Sequence, residues 1–259
     1  MKVLRELLSH RDLVVSLVRR QYQLRYRQSA VGIAWAIIPP IATLGVATLV
    51  FHGVAGVDTG GTPYAVFTMS GLALWSFFAS CLTNGIPSIV GALPMVSRFP
   101  FPKGALPLSM IGLAFLDLLV SMALFVVVAY VLGSGLSPTS LWTPVLVLVE
   151  AGLAVGLVML LSAINMFARD IKLAIPLGIQ LWLFMTPVMY PLDTVPQNLR
   201  FLYAANPMTG VIENAHRVLV YGQAPDFALL LPSILGALVA LGVGCWYFAA
   251  TESRFADVI

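Results

Sequence analysis

Apolar residues run in blocks of roughly 20 residues between a few charges, the length at which a helix crosses a bilayer. Six blocks cover residues 29–51, 64–83, 106–132, 142–167, 173–190 and 227–250. They predict an all-α integral membrane protein with six transmembrane helices. The first block contains Pro39 and Pro40, and the fifth carries Pro176 and Pro187. Proline removes a helix hydrogen bond, and a bilayer tolerates freed carbonyls only where neighbouring protein or water satisfies them. The first and fifth spans are therefore expected to be kinked and to face the protein interior rather than lipid.

Two further segments are too short to span. Leu13, Val14, Leu17, Val18 and Leu24 fall on one side of a helical wheel, with Asp12, Arg19, Arg20 and Arg27 opposite. This predicts an N-terminal amphipathic helix on the cytoplasmic membrane surface, its arginines near anionic headgroups. Such a helix either anchors the topology alone or also cradles a cytoplasmic partner. A cleavable signal peptide is not expected, because the apolar stretch 13–18 is short, Arg19 and Arg20 follow it, and no small-residue cleavage site appears.

The second segment lies between the fifth and sixth spans. Asn206-Pro207 reads as a helix start, an N-cap side chain followed by proline at the first helical position. Met208, Val211, Ile212, Ala215, Val218 and Leu219 then repeat at helical spacing, and Gly222 supplies a stop. Such a helix is about 22 Å long, too short to span. With the apolar piece 199–205 before it, the pattern predicts a short re-entrant helical hairpin dipping into the outer leaflet. An ordinary interfacial helix is the alternative.

Charge turns these spans into a topology. Of 259 residues, 59% are hydrophobic and 10% charged, against about 25% charged in a soluble domain. Twelve of the fourteen Lys and Arg fall in the N-terminal segment, the second-to-third and fourth-to-fifth connections and the C-terminal tail. Only Arg200 and Arg217 fall on the other side. Positive residues mark the cytoplasmic face, so both termini are expected there. The organisation is a single transmembrane domain over 1–259, with an interface helix in 1–28, the bundle in 29–250 and a cytoplasmic tail in 251–259. The basic balance does not indicate nucleic-acid binding, since it clusters beside a span and forms no aromatic-interleaved groove. Cys81 and Cys245 both lie in apolar runs and read as packing residues.

No residue set carries the pattern of a catalytic, metal or cofactor site. There is no Gly-x-Ser-x-Gly, no His-Glu-x-x-His and no cysteine pair at metal-ligand spacing. No P-loop occurs either, so an ATP-driven process would need its ATP and magnesium handled by another subunit. Asp117 and Glu150 fall within spans, where acids are functional suspects by default. No basic residue reads as deep enough to complete a relay with them. Asp117 reads as a hydrogen-bonding partner of a neighbouring helix, and Glu150 as close enough to the outer interface to be solvated. Aromatics are frequent, and Trp75, Phe77, Phe78, Trp182 and Tyr190 could stack on sugars along a path. Packing is the alternative for each.

Several motifs together resemble one family. Arg25-Tyr26-Arg27-Gln28-Ser29-Ala30-Val31-Gly32-Ile33-Ala34-Trp35 ahead of Pro39-Pro40 looks like the start of the first span of polysaccharide-exporting ABC transporter permeases. Arg98-Phe99-Pro100-Phe101-Pro102, Ala168-Arg169-Asp170-Ile171-Lys172, Thr186-Pro187-Val188-Met189-Tyr190-Pro191 and Asn206-Pro207-Met208-Thr209-Gly210 with Arg217 match further segments in order. The similarity covers nearly the whole chain. It looks closest to O-antigen and teichoic acid exporters, with capsule exporters further away. One departure is Pro102-Lys103-Gly104, where a basic residue followed by an acid is expected.

The resemblance implies a homodimer around a central path, bound by two cytoplasmic ATP-binding cassette subunits, in the bacterial cytoplasmic (inner) membrane. It implies export of a lipid-linked polysaccharide, with membrane lipids as surroundings. Arg25, Arg27, Arg98, Lys103, Arg169, Asp170 and Lys172 would contact the ATPases. Asn206, Pro207, Glu213 and Arg217 would belong to an outer gate. The rival readings are an ABC exporter of drugs or small lipids, a proton-coupled carrier needing Asp117 or Glu150, and a membrane-embedded transferase.

Overall fold

The computed structural model describes residues 11–27, 32, 34, 37–54, 56–96, 101–168 and 170–257, all of it helix, turn or loop without a strand. Helix α1 (Arg11–Tyr22) continues as a π-helical turn through Gln23–Arg27. Helix α2 (Ile38–Ala47) runs on as a π-helical stretch, Thr48–Val54. Then come α3 (Tyr64–Gly85), α4 (Ala105–Val131), α5 (Thr143–Phe167) and α6 (Ile171–Phe184). Two short helices, α7 (Arg200–Ala205) and α8 (Pro207–Ala215), precede α9 (Phe227–Thr251).

Among the described residues four helices, α3, α4, α5 and α9, are long and apolar enough to cross a membrane. The described parts of the other two expected spans are shorter. Residues 38–54 form 17 helical residues, and α6 has 14, about 21 Å against a hydrocarbon core of about 30 Å. Pro39 and Pro40 stand at the first turn of α2, where proline fits a helix start, so they open this helix rather than kink it. Pro176 sits inside α6, while Pro187 lies beyond its end. Proline disfavours helical backbone at the residue before it, and the chain turns away there. Thr186 Oγ1 donates to Trp182 O at 2.9 Å across that ending.

Within a single chain, the described parts of the first and fifth spans lie at the outside of the bundle. In α6 no residue is buried, and Leu173, Leu177, Leu181 and Phe184 are exposed. Along the first span Ile38, Ile41, Val46, Leu49 and Val54 are exposed, and only Pro40 and Ala47 are buried in α2. The interior belongs to α3, with sixteen of its 22 residues buried. It is packed on several sides by other helices and carries Gly, Ser, Thr, Cys and Ala where close packing leaves little room. Both proline-bearing helices border it from outside.

Close approach of backbones sets the rest. A side chain at Gly156 of α5 would collide with the backbone of Ala240 and Leu241 in α9, and one at Gly244 would collide with Gly156. Gly152 and Gly156 lie four apart, as do Gly236, Ala240 and Gly244, so both helices present the small-residue ridge that lets membrane helices touch. A second cluster closes one end of the bundle, joining Leu17 of α1, Ala105 and Leu106 of α4, Met159, Ala163 and Met166 of α5, and Phe248 and Phe255. The two described ends of the chain therefore meet at the same end of the bundle.

Candidate functional site

Asp117 is the only charged residue of α4, flanked by Leu116 and Leu118. A carboxylate in such a wall needs partners, and the end of α1 supplies them. Gly112 leaves room for Val18 on the α4 surface, so the N-terminal helix runs along α4. The π-helical turn that follows brings two neighbouring side chains to one acid. Tyr26 Oη donates to Asp117 Oδ1 at 2.5 Å, and Arg25 Nη1 donates to Oδ2 at 3.0 Å. Arg25 also lies over the Tyr26 ring, 5.6 Å from its centroid. Burial, then the hydrogen bond to Asp117, raises the Tyr26 hydroxyl above the ordinary phenol range. Asp117 thus bonds to a neighbouring helix as expected. No basic residue in the sequence reads as deep enough to complete a relay with it, but α1 packs lengthwise on α4 and carries Arg25 to it.

The other residues expected at the cytoplasmic end are dispersed. Lys103 is tied to the C-terminal segment, its backbone N–H donating to Glu252 Oε1 at 2.9 Å and its Nζ to Glu252 O at 3.0 Å. Its ammonium stands over Phe255, 5.5 Å from the ring centroid. Asp170 and Lys172 are exposed at the start of α6. Arg27 closes the π-helical turn. Arg98 and Arg169 lie outside the described residues.

At the opposite end, Asn206 is a knot. Its Oδ1 accepts from Met208 N at 3.0 Å, the N-cap bond the sequence predicts, and from Trp182 Nε1 at 2.9 Å. Its Nδ2 donates to Thr186 Oγ1 at 2.9 Å and Met185 O at 3.1 Å. One side chain thereby fixes the end of α6 to the start of α8. Pro207 opens α8, Gly222 ends the following π-helical turn with φ of 62°, and the short helices form as predicted. Helix α8 is set into protein, whereas α7 has no buried residue. Met208, Val211, Ile212, Ala215 and Val218 are all fully buried, because α8 is wedged against α9, α3 and α5. Gly210 abuts Leu229 O of α9, which only a glycine permits.

Glu213 and Arg217 are half-buried at this end. Arg217 Nε donates to Ala224 O at 3.2 Å. Glu213 Oε2 stands 4.0 Å from Nδ1 of His216, whose ring is fully buried and stacks on Phe67 at 3.9 Å. Nearby, burial and then the Glu213, Asp193 and Asp58 carboxylates push the Tyr221 hydroxyl up to about 12. The expectation that Glu150 is solvated is overturned: it is 0% exposed, and neither oxygen has a hydrogen-bond partner among the described residues. It lies about two turns into α5.

The aromatics divide. Trp75, Phe77 and Phe78 are buried in α3, Phe78 meeting Trp182 edge-on at 5.1 Å and Phe77 meeting Phe115 at 6.4 Å. Tyr190 is half-buried, its hydroxyl donating to Phe184 O at 2.6 Å and sharing a 2.9 Å hydrogen bond with Tyr203. The five are not gathered on one open surface of the single chain. Among the described residues no group of three or more His, Cys, Asp or Glu could hold a metal.

Comparison with known proteins gives the same picture over the whole length. Residues 12–220 match the ABC-2 type transporter family. The chain is 27% identical to an O-antigen export system permease protein RfbA of Myxococcus xanthus, covering 100% of this chain and 99% of that one. It is 26% identical to an RfbA of Klebsiella pneumoniae over 96% and 95% of the two chains. The polysialic acid transport protein KpsM of Escherichia coli is 20% identical over 92% and 93%.

Proposed function

The chain belongs to the ABC-2 type transporter family, and from that premise we propose that it is the transmembrane subunit of an ATP-driven exporter of a lipid-linked polysaccharide. The observation that carries this reading is the end-to-end similarity to permeases named for O-antigen export, joined by a protein named for polysialic acid transport. A multi-pass helical subunit of this family works with a separate ATP-binding cassette subunit, which uses ATP and magnesium; this chain carries no P-loop.

In the full reading, two copies of the chain and two ATPase subunits surround one path in the bacterial cytoplasmic membrane. The chain crosses six times with both termini inside. The meeting of the chain's two described ends in one cluster supports that topology. The exposed apolar faces of α2 and α6 support a lipid or second-copy boundary there. Helix α1 rests at the cytoplasmic face, where Arg27, Arg98, Arg169, Asp170 and Lys172 contact the ATPases, with Arg25 and Lys103 holding the surfaces behind them. The pair α7–α8 forms the re-entrant hairpin, and Asn206, Pro207, Glu213 and Arg217 build the outer gate. Trp75, Phe77, Phe78, Trp182 and Tyr190 belong to the wall behind the glycan path.

The test is purification with the ATP-binding cassette subunit encoded beside it, followed by ATP hydrolysis with and without a lipid-linked glycan. A stable complex stimulated by the glycan is expected. A complex stimulated by small drugs and indifferent to the glycan would overturn the reading.

A further inference from the structure

Three polar ridges face one another inside an otherwise apolar bundle. On α3 and the turn after it, Ser76, Ser80, Asn84 and Ser88 recur every four residues, one ridge of a helix. On α4 the ridge is Asp117 and Ser121, and on α1 with its π-helical turn it is Gln21 and Arg25. The ridges border two open clefts. The larger, about 600 Å³, is lined by Gln21, Arg25, Thr83, Asn84 and Ser88 among others. The smaller, about 160 Å³, is lined by Arg25, Ser76, Ser80, Asp117 and Ser121, with Phe77 and Pro40 as apolar walls. Arg25 lines both, so it stands between them.

Several hydroxyls and one guanidinium with spare donors line these clefts, which are far larger than a single water requires. Asn84 Nδ2 bonds back to Ser80 O and Oγ at 2.9 and 3.1 Å, which turns the amide toward the ridge. Arg25 gives one nitrogen, Nη1, to Asp117. Its planar fork has further donors, a geometry matched to phosphate oxygens. Asp117 keeps the guanidinium neutralised and in place when no anion is present.

We propose that these clefts bind a phosphate-bearing, hydroxylated lipid headgroup, with Arg25 taking the phosphate and the serine ridge the hydroxyls. The assignment rests on the export reading for its source, a lipid-linked glycan about to cross. A glycerol-bearing phospholipid offers the same chemistry from the membrane itself, and the two are separable.

The experiment uses the purified full chain in phosphatidylcholine nanodiscs. Binding of a polyprenyl diphosphate carrying one labelled hexose is titrated beside labelled phosphatidylglycerol. The wild type should prefer the hexose-bearing probe by about tenfold or more. Arg25→Gln should weaken that probe about tenfold, the loss expected for a charge-assisted hydrogen bond. Ser80→Leu should do likewise by filling the cleft, and Arg25→Lys should recover part of the loss. Ser121→Ala, which deletes a hydroxyl without new bulk, carries the test if a larger change prevents assembly; it should weaken the probe by several-fold. Unchanged probe affinity in these variants, or equal binding of phosphatidylglycerol at the same residues, would overturn the assignment. Glycan export by cells expressing the wild type separates the two readings. Export with unaffected probe binding in the variants removes the cleft site and keeps the function. Arg25-dependent probe binding without any glycan export keeps the cleft site and removes the function.

Discussion

Gly156 of α5 and Gly244 of α9 meet backbone to backbone, with no space for a methyl group on either. Lipid tails are as apolar as leucine, so membrane helices associate through such close packing rather than through hydrophobic exclusion. Gly156→Ala and Gly244→Ala should each lower stability by about 1–3 kcal/mol, the cost of overpacking a fitted interface. Gly242→Ala and Gly178→Ala meet open space and should change little. Thermal unfolding in detergent distinguishes them. Equal midpoints for all four variants would mean that the α5–α9 crossing does not depend on this contact.

The bond from Trp182 Nε1 to Asn206 Oδ1 gives a second prediction. Asn206→Ala removes four hydrogen bonds and leaves Trp182 and Met208 donors without that acceptor. A lost cap or an orphaned buried donor costs about 1–3 kcal/mol. Trp182→Phe keeps the edge contact on Phe78 and deletes one donor only, so it should cost less. The order of thermal midpoints should be wild type, Trp182→Phe, Asn206→Ala.

The short helices show what a sequence discloses. Asn206, Pro207 and Gly222 each act through local backbone chemistry, so cap, first turn and stop were all legible. What surrounds α8 was not, because a 3.6-residue repeat marks one apolar face and cannot say whether lipid or protein covers it. The same ambiguity holds for α2 and α6, whose apolar faces are exposed on the single chain: Pro39 and Pro40 open α2 and Pro187 lies past α6, while Pro176 sits inside it. Arg25 and Asp117 are 92 residues apart, and only the packing of α1 along α4 joins them. The clue was present in the lone acid of an apolar helix, which needed a cation from somewhere. The serine ridge on α3 was readable as a period of four but hidden by the small size of its members.

Tyr221 makes stability depend on alkaline pH. Burial and the carboxylates of Glu213, Asp193 and Asp58 raise its hydroxyl to about 12, from about 10 in an unfolded chain. The folded state therefore favours the neutral phenol. Its contribution is fully present below pH of about 10 and is lost as pH climbs through about 12. Between these values the wild type should lose more thermal stability than Tyr221→Phe, which cannot ionise. Parallel losses in the two proteins would show that other groups dominate this range.

Tyr26 and Arg25 converge on one carboxylate, so their contributions should not add. With both partners Asp117 is satisfied; with either alone it keeps one hydrogen bond. Tyr26→Phe should cost about 1.5–3 kcal/mol, and Arg25→Gln about 0.2–1 kcal/mol, because the half-exposed guanidinium is screened. Asp117→Asn weakens both bonds at once, and adding Tyr26→Phe to it should cost much less than in the wild type. A double-mutant cycle on Tyr26 and Asp117 should thus return a coupling of about 0.5–3 kcal/mol, as for residues in direct contact. Additive losses would mean that α1 is held to α4 by Val18 against Gly112 and the apolar seam alone, with the ion cluster a passenger of that packing.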